Sequence, residues 1–205
     1  MTTTFGLFDT LVRAEFPESP AAAVGDELAE RGVDLPDDWT AAYRETHIDP
    51  PEGAEVPLPA HVSAALSSRG VDAPGNAPRR AVVAAFDPGV ETRDGAVEAV
   101  EAAATRGPVG LLANAAAPEL LRRTLIRAAF DRDAFDAVRS SAACGWRKPD
   151  RRAFETLAHA LDVPADELVH VGHPDAGDEG VRRVGGRFVD VTRTDLADLA
   201  RQLRL

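Results

Sequence analysis

Over the second half of this 205-residue chain, short apolar runs alternate with amphipathic stretches. Val109-Gly110-Leu111-Leu112-Ala113 reads as a strand and 118–127 as a helix. An extended stretch follows over 137–141, and then a helix over 149–161. Leu168-Val169-His170-Val171 reads as a strand ending in Gly172, 178–184 as a short helix, 187–191 as another strand and 195–203 as a terminal helix. Such alternation is the sequence form of βα units stacked into a parallel sheet. Phe5-Gly6-Leu7-Phe8 is strand-like too, and supplies the sheet's first strand. Between it and the rest, repeated prolines break the chain into short helices, roughly 20–31, 37–47, 59–69 and 77–86. Asp37-Asp38 and Pro59 suit helix starts, and Gly32 and Gly70 suit stops. The expected fold is α/β: a doubly wound, Rossmann-like parallel sheet with a small helical cap inserted after the first strand. The cap is expected over 15–87 and the core over 1–14 and 88–205. Open parallel sheets bind ligands beyond the carboxyl ends of their strands, so the loops after Phe8, Leu112, Ser141 and Val171 are where chemistry is sought.

Acidic residues outnumber basic ones 34 to 23, a formal charge of -11. Nucleic acids and anionic membranes both require a positive protein surface, so neither is an expected partner. The charge is uneven: residues 1–90 hold 15 acids and 6 bases, residues 91–205 hold 19 and 17. Lys148 is the single lysine. Abundant acid and alanine with almost no lysine match a salt-rich cytoplasm, where carboxylates hydrate the surface and salt screens their repulsion. The one cysteine, Cys144, excludes an intrachain disulfide and a thiolate cluster. The opening residues lack the basic and apolar segments of a signal peptide, and no apolar run reaches the roughly 18 residues of a membrane span. A cytoplasmic location is expected.

The four strand-end loops read Phe5-Gly6-Leu7-Phe8-Asp9-Thr10-Leu11-Val12, Leu112-Ala113-Asn114, Gly145-Trp146-Arg147-Lys148-Pro149-Asp150 and Val171-Gly172-His173-Pro174-Asp175-Ala176-Gly177-Asp178. Together they resemble the haloacid dehalogenase-like superfamily of phosphatases and dehalogenases, over essentially the whole chain. The Arg-Lys-Pro-Asp ahead of an amphipathic helix is the most specific piece. The resemblance implies a nucleophilic Asp in the first motif, with a second Asp two residues later as acid and base. It further implies a hydroxyl and an Asn in the second motif, a Lys in the third that neutralises the anion, and acids in the fourth that hold magnesium. This chain departs from that pattern. Gly6 stands at the nucleophile position and Phe8 at the acid/base position. Ala113 replaces the hydroxyl, with Asn114 retained. Lys148 matches. His173 replaces the leading acid of the fourth motif, and Asp178 stands at the second.

Loss of a covalent nucleophile commonly removes about 10⁶ in rate, roughly 8 kcal/mol of transition-state stabilisation. The leading expectation is therefore a member that has lost hydrolysis and acts by binding a small anion or a protein partner. Thr10, Asn114 and Lys148 are then the anion-binding candidates, and no cofactor is required. The alternative is a working phosphatase or dehalogenase-like hydrolase in which Asp9 is a rearranged nucleophile and Lys148 its cation, with magnesium held through Asp178. A third reading is a structural subunit without a ligand site. Lys148 either faces an anion or ties the sheet-end loops together through Asp9 or Asp178. His173 with Asp175 and Asp178 reads as a transition-metal site or, more simply, as a solvated loop. Cys144 reads as a half-buried inert thiol rather than a nucleophile, Trp39 and Tyr43 as one face of a cap helix. His47, His61, His159 and His170 need no special role.

Overall fold

The computed structural model describes residues 1–131 and 133–205. Strands β1 (Thr2–Phe5), β4 (Val109–Ala113), β5 (Ala137–Ser140), β6 (Leu168–Gly172) and β7 (Arg187–Asp190) form one parallel sheet in the order β5-β4-β1-β6-β7. A short antiparallel pair, β2 (Val12–Ala14) with β3 (Val90–Thr92), brackets four helices: α1 (Pro20–Glu30), α2 (Trp39–Arg44), α3 (Leu58–Ser67) and α4 (Ala77–Ala85). The remaining helices are α5 (Ala96–Ala104), α6 (Leu120–Arg127), α7 (Ser141–Cys144), α8 (Arg151–Ala160) and α9 (Leu196–Arg204). Three 3₁₀ segments, Ala165–Glu167, Pro174–Ala176 and Asp178–Val184, complete the described elements. None of the described helices is long and apolar enough to cross a membrane.

Successive strand residues point to opposite faces, and β4 shows the result. Leu111 packs with Phe5, Val100, Leu199 and Leu203 under α5 and α9, while its neighbour Leu112 packs with Phe154, Leu157 and Val181 on the other face. Both layers are dry, which is why β4 is uniformly apolar rather than alternating. The four inserted helices have their own apolar centre: Val24 and Leu28, Trp39, Val62 and Leu66, Ala81 and Val82, joined by Ala115, Ala117 and Leu120 from the sheet side. Phe8 is half-buried against both this cluster and the one under α5 and α9.

The doubly wound parallel sheet expected from the apolar pattern is present. The first strand lies three residues earlier than expected, at Thr2–Phe5 rather than 5–8. Its three threonines read as polar, yet all are buried and their β-branched side chains suit a pleated sheet. Phe5 ends the strand, because Leu7 carbonyl accepts from the Leu11 and Val12 amides and curls the chain into a tight turn. Helix α2 is shorter than 37–47: Glu45 turns extended at its end, and Arg69 bridges Glu45 to Asp38. The segment at 178–184 is 3₁₀. The pair β2/β3 and helix α5 were not anticipated. Three-residue strands carry almost no period, and the alanine-rich α5 has little polar face to mark one.

Trp39 anchors the inserted helices. It is 6% exposed, donates from Nε1 to the Ala21 carbonyl at 2.8 Å, and meets Tyr43 edge-on at 5.6 Å between centroids. Replacing it by alanine should destabilise the protein by about 3–5 kcal/mol, and Trp39→Phe by about 1–2, since the ring stays but the Ala21 carbonyl loses its donor. Urea titration followed by circular dichroism reads both.

Candidate functional site

The carboxyl ends of β1, β4 and β6 converge on a buried chain of polar groups. Asp178, fully buried, lies in the slot above the end of β1. Its Oδ1 forms a short ion pair with the Lys148 ammonium and accepts from His170 Nε2 at 2.8 Å; its Oδ2 accepts from the His173 amide at 2.9 Å. Lys148, 5% exposed, also donates to the Leu112 carbonyl at 3.0 Å. His170 Nδ1 lies 2.8 Å from the Thr4 hydroxyl. With an ionised carboxylate at Nε2, the proton sits there and Nδ1 accepts from Thr4.

Two glycines make this arrangement possible. A Cβ at Gly6 would come within 2.6 Å of Asp178 Oδ2 and 2.9 Å of Thr10 Oγ1, closer than non-bonded atoms approach. A Cβ at Gly172 would overlap the Asp178 carboxyl group outright. The space above Gly6 is thus filled by a carboxylate reaching across from the Asp178 segment. Lys148 is paired with Asp178, the arrangement that ties the sheet-end loops together.

Burial and neighbours shift Asp178 and His170. Burial pushes the Asp178 carboxyl up, but the adjacent Lys148 charge and then His170 outweigh it and hold the group below the ordinary carboxylate range. Burial, the largest effect, pushes the His170 imidazole down, and Lys148 adds to it against the pull of Asp178. The result is one paired plus and minus charge and a neutral ring.

The other expected site residues fall elsewhere. Asp9 is exposed at the tip of the turn after β1, with φ of 59°; its amide donates to the Val12 carbonyl, and its own carbonyl accepts from Arg93 at 2.6 Å. Thr10 is buried, and its hydroxyl has no partner among the described residues. Asn114 uses both ends of its amide on the Lys148 backbone, accepting from the Lys148 amide at 2.8 Å and donating to its carbonyl at 3.0 Å. His173 Nδ1 accepts from the Asp175 amide at 3.2 Å, and Asp175 projects into solvent. The Cys144 thiol donates to the Trp146 carbonyl at 3.1 Å, and burial pushes its pKa up, so it is a thiol. His170, read from sequence as without a role, proves central. A histidine in an apolar strand directly before the fourth motif was the only available signal.

Magnesium does not fit this donor set. Gly6 offers no side-chain oxygen, His173 gives nitrogen where the hard ion requires oxygen, and both Asp178 oxygens face internal donors. Among the described residues no three His, Cys, Asp or Glu side chains are disposed to hold a metal.

Beside the network opens a cleft of about 230 Å³, walled by Leu7, Phe8, Ala113, Pro149 and Ala176, with Arg147 and Asp175 at its exposed margin. Arg147 makes no ion pair among the described residues, whereas Lys148 is occupied. The inserted segment ahead of α3 is stitched to this margin. The Arg147 amide donates to the Gly53 carbonyl at 3.0 Å and the Glu55 amide to the Gly145 carbonyl at 2.9 Å, while the Ser141 hydroxyl donates to Glu55 at 2.6 Å. Arg152 stacks 3.4 Å over the Trp146 ring, donates to the Glu52 carbonyl, and holds the Asp150 carboxyl down at about 2. The links from Gly53, Glu55 and Glu52 to Arg147, Gly145, Ser141 and Arg152 join residues 86 to 100 apart, and no local pattern announces them.

No protein-family model and no curated protein matches the chain by sequence. Solved structures do match in fold. A 2-haloacid dehalogenase from Pseudomonas syringae pv. Tomato DC3000 superposes with a TM-score of 0.65 at 22% identity, over 92% of this chain and 85% of that one. The L-2-haloacid dehalogenase PA0810 gives 0.61 at 16% identity over 98% of each chain. CbbY from Rhodobacter sphaeroides, crystallised with phosphate, gives 0.59 at 18% over 91% and 84%. The protein therefore has the haloacid dehalogenase-like fold, an architecture that these dehalogenases and CbbY share.

Two outcomes follow from the buried network. Asp178→Asn leaves the Lys148 ammonium buried without a counter-charge and should lower stability by about 3–5 kcal/mol; adding Lys148→Met should recover part of that loss, read as non-additivity in denaturant unfolding. Acid should act in stages. His170 ionises at lower pH in the folded protein than its ordinary 6.5, so its contribution is complete above about pH 6.5 and is lost below it. The steepest slope is about 1.4 kcal/mol per pH unit for one proton. Asp178 adds a second loss below its ordinary 3.8. The urea midpoint of the wild type should fall between pH 7.5 and 5, and that of His170→Gln should fall less.

Proposed function

We propose that the chain is a haloacid dehalogenase-like protein that has given up hydrolysis and works by binding, with residues 15–87 as a cap over a core of 1–14 and 88–205. The observation that carries this reading is the Asp178 carboxylate lying over Gly6 with Lys148 paired to it. A carboxylate nucleophile needs an accessible oxygen and a cation free to meet the incoming anion. Here the buried carboxylate is fully hydrogen-bonded and its cation is neutralised, while Asp9 is exposed on its turn and Asp175 projects into solvent at the cleft margin. Loss of the magnesium donors points the same way, and the protein requires no cofactor.

The ligand that suits the cleft is a small anion with an apolar body. Arg147 is the cation at its margin without an acid partner among the described residues, and a planar guanidinium pairs well with a carboxylate or phosphate. Of the anion-binding candidates from the motifs, Asn114 and Lys148 line the cleft but are committed to internal partners, and Thr10 is buried outside its lining, so Arg147 takes that role. A protein partner over the same cleft would meet the same guanidinium.

The full chain should release no nitrophenol from 4-nitrophenyl phosphate with magnesium and no chloride from 2-chloropropionate above the buffer rate. Turnover abolished by Asp9→Asn would replace this reading with a hydrolase. By calorimetry, 2-chloropropionate or phosphate should bind the wild type, and Arg147→Gln should weaken binding about 10–100-fold, the effect of one charge-assisted contact. Absence of binding by every such anion would leave only the protein partner.

A further inference from the structure

The far edge of the sheet offers a second recognition surface, independent of the cleft. β7 is an edge strand, and a trough of about 690 Å³ runs along it. Four consecutive residues, Arg187, Phe188, Val189 and Asp190, line that trough. Alternate side chains of a strand point to opposite faces, so a hollow that touches four in a row follows the strand's free edge rather than either face. Arg182 from the Asp178–Val184 segment walls one side, and Leu199 from α9 walls the other. On the side away from β6 the Asp190 carbonyl accepts from the Arg193 and Thr194 amides, which leaves the Phe188 N–H and C=O and the Asp190 N–H as the unpaired edge groups among the described residues, between two helical walls.

The charge of the slot is opposite to that of the molecule. Its two acids are satisfied internally: Glu179 pairs with Arg182, and Asp190 accepts from the Thr192 amide and hydroxyl, which hold its carboxyl below the ordinary range. Arg187 and Arg193 are exposed and make no ion pair among the described residues. With Arg182 and its partner Glu179 cancelling, the lining charges of Arg187, Arg193 and Asp190 sum to a positive slot in a chain of formal charge -11. Phe188, with the Arg182 guanidinium 5.6 Å over its ring, gives the slot an apolar patch.

We propose that this edge binds an extended acidic peptide segment by strand addition. The segment's backbone pairs with the outward N–H and C=O of Phe188 and the N–H of Asp190, and its Asp or Glu side chains reach Arg187 and Arg193. A second copy of this chain is the poorer occupant. Edge-to-edge pairing brings two arginine-bearing troughs together and sets the helical walls of one copy against those of the other.

The test is fluorescence anisotropy of the full chain with a labelled hexapeptide of alternating glutamate and valine. Its lysine–valine counterpart and the acidic peptide N-methylated at alternate residues serve as comparisons. The acidic peptide should bind and the lysine peptide should not. N-methylation should weaken binding at least tenfold, because it removes the edge hydrogen bonds. Arg187→Ser with Arg193→Ser should weaken it at least tenfold while circular dichroism and the urea midpoint stay unchanged. Absence of binding by the acidic peptide, equal binding of both charges, or indifference to N-methylation or to the double variant would overturn the proposal. A dimer in light scattering that Arg187→Ser dissolves would overturn it in favour of a second copy.

Discussion

Asp178 and Lys148 meet inside the protein, where an isolated charge is intolerable, and the surrounding architecture accommodates that pair. The carboxylate needs a slot, so the ends of β1 and β6 carry Gly6 and Gly172, whose missing Cβ atoms leave room for it. It needs further donors, and His170 and the His173 amide supply them. His170 in turn needs an acceptor role for its second nitrogen, and Thr4 in the adjacent strand provides the hydroxyl. The pair itself adds little net stability, because desolvation offsets most of its attraction, but every member becomes costly to remove. It fixes the relative position of β1, β4, β6 and the Lys148 loop, the four pieces that form the cleft.

That arrangement also sets what the cleft has to offer a ligand. Once Lys148 is neutralised and Asn114 is clamped on its backbone, the positive charge left at the opening is Arg147, whose own backbone is tied to Gly53 of the inserted segment. Cation and apolar walls are therefore positioned jointly by the sheet and the inserted helices. At Arg147, Arg187 and Arg193 a guanidinium without an acid partner among the described residues lies at a concave place, where a low-dielectric wall strengthens its attraction for an anion.

Much of the fold was legible from the chain because the relevant signals are local. The apolar run of β4, the amphipathic period of α8 and α9, and the prolines that open α1, α3 and α4 each act within about ten residues. Misreadings arose where tertiary burial overrode local polarity. Thr2–Thr4 became a strand because neighbours on both sides cover it. The exposed-looking Asp178 and the unremarked His170 are fully buried, since the folding of β6 against β1 decides their environment and their neighbours in sequence do not.

By itself the sequence determined the class of fold, the acidic surface, and the vacancy at position 6, because composition and periodicity are properties of the chain. It also located Lys148 on a strand-end loop. Which acid Lys148 meets was left open between Asp9 and Asp178, and the tertiary structure decided it. Asp9 turns outward on a left-handed turn, while Asp178, 30 residues beyond Lys148, is carried inward over the two glycines. An ion pair depends on distances of a few ångströms between groups remote in sequence, and only the packed sheet sets those distances.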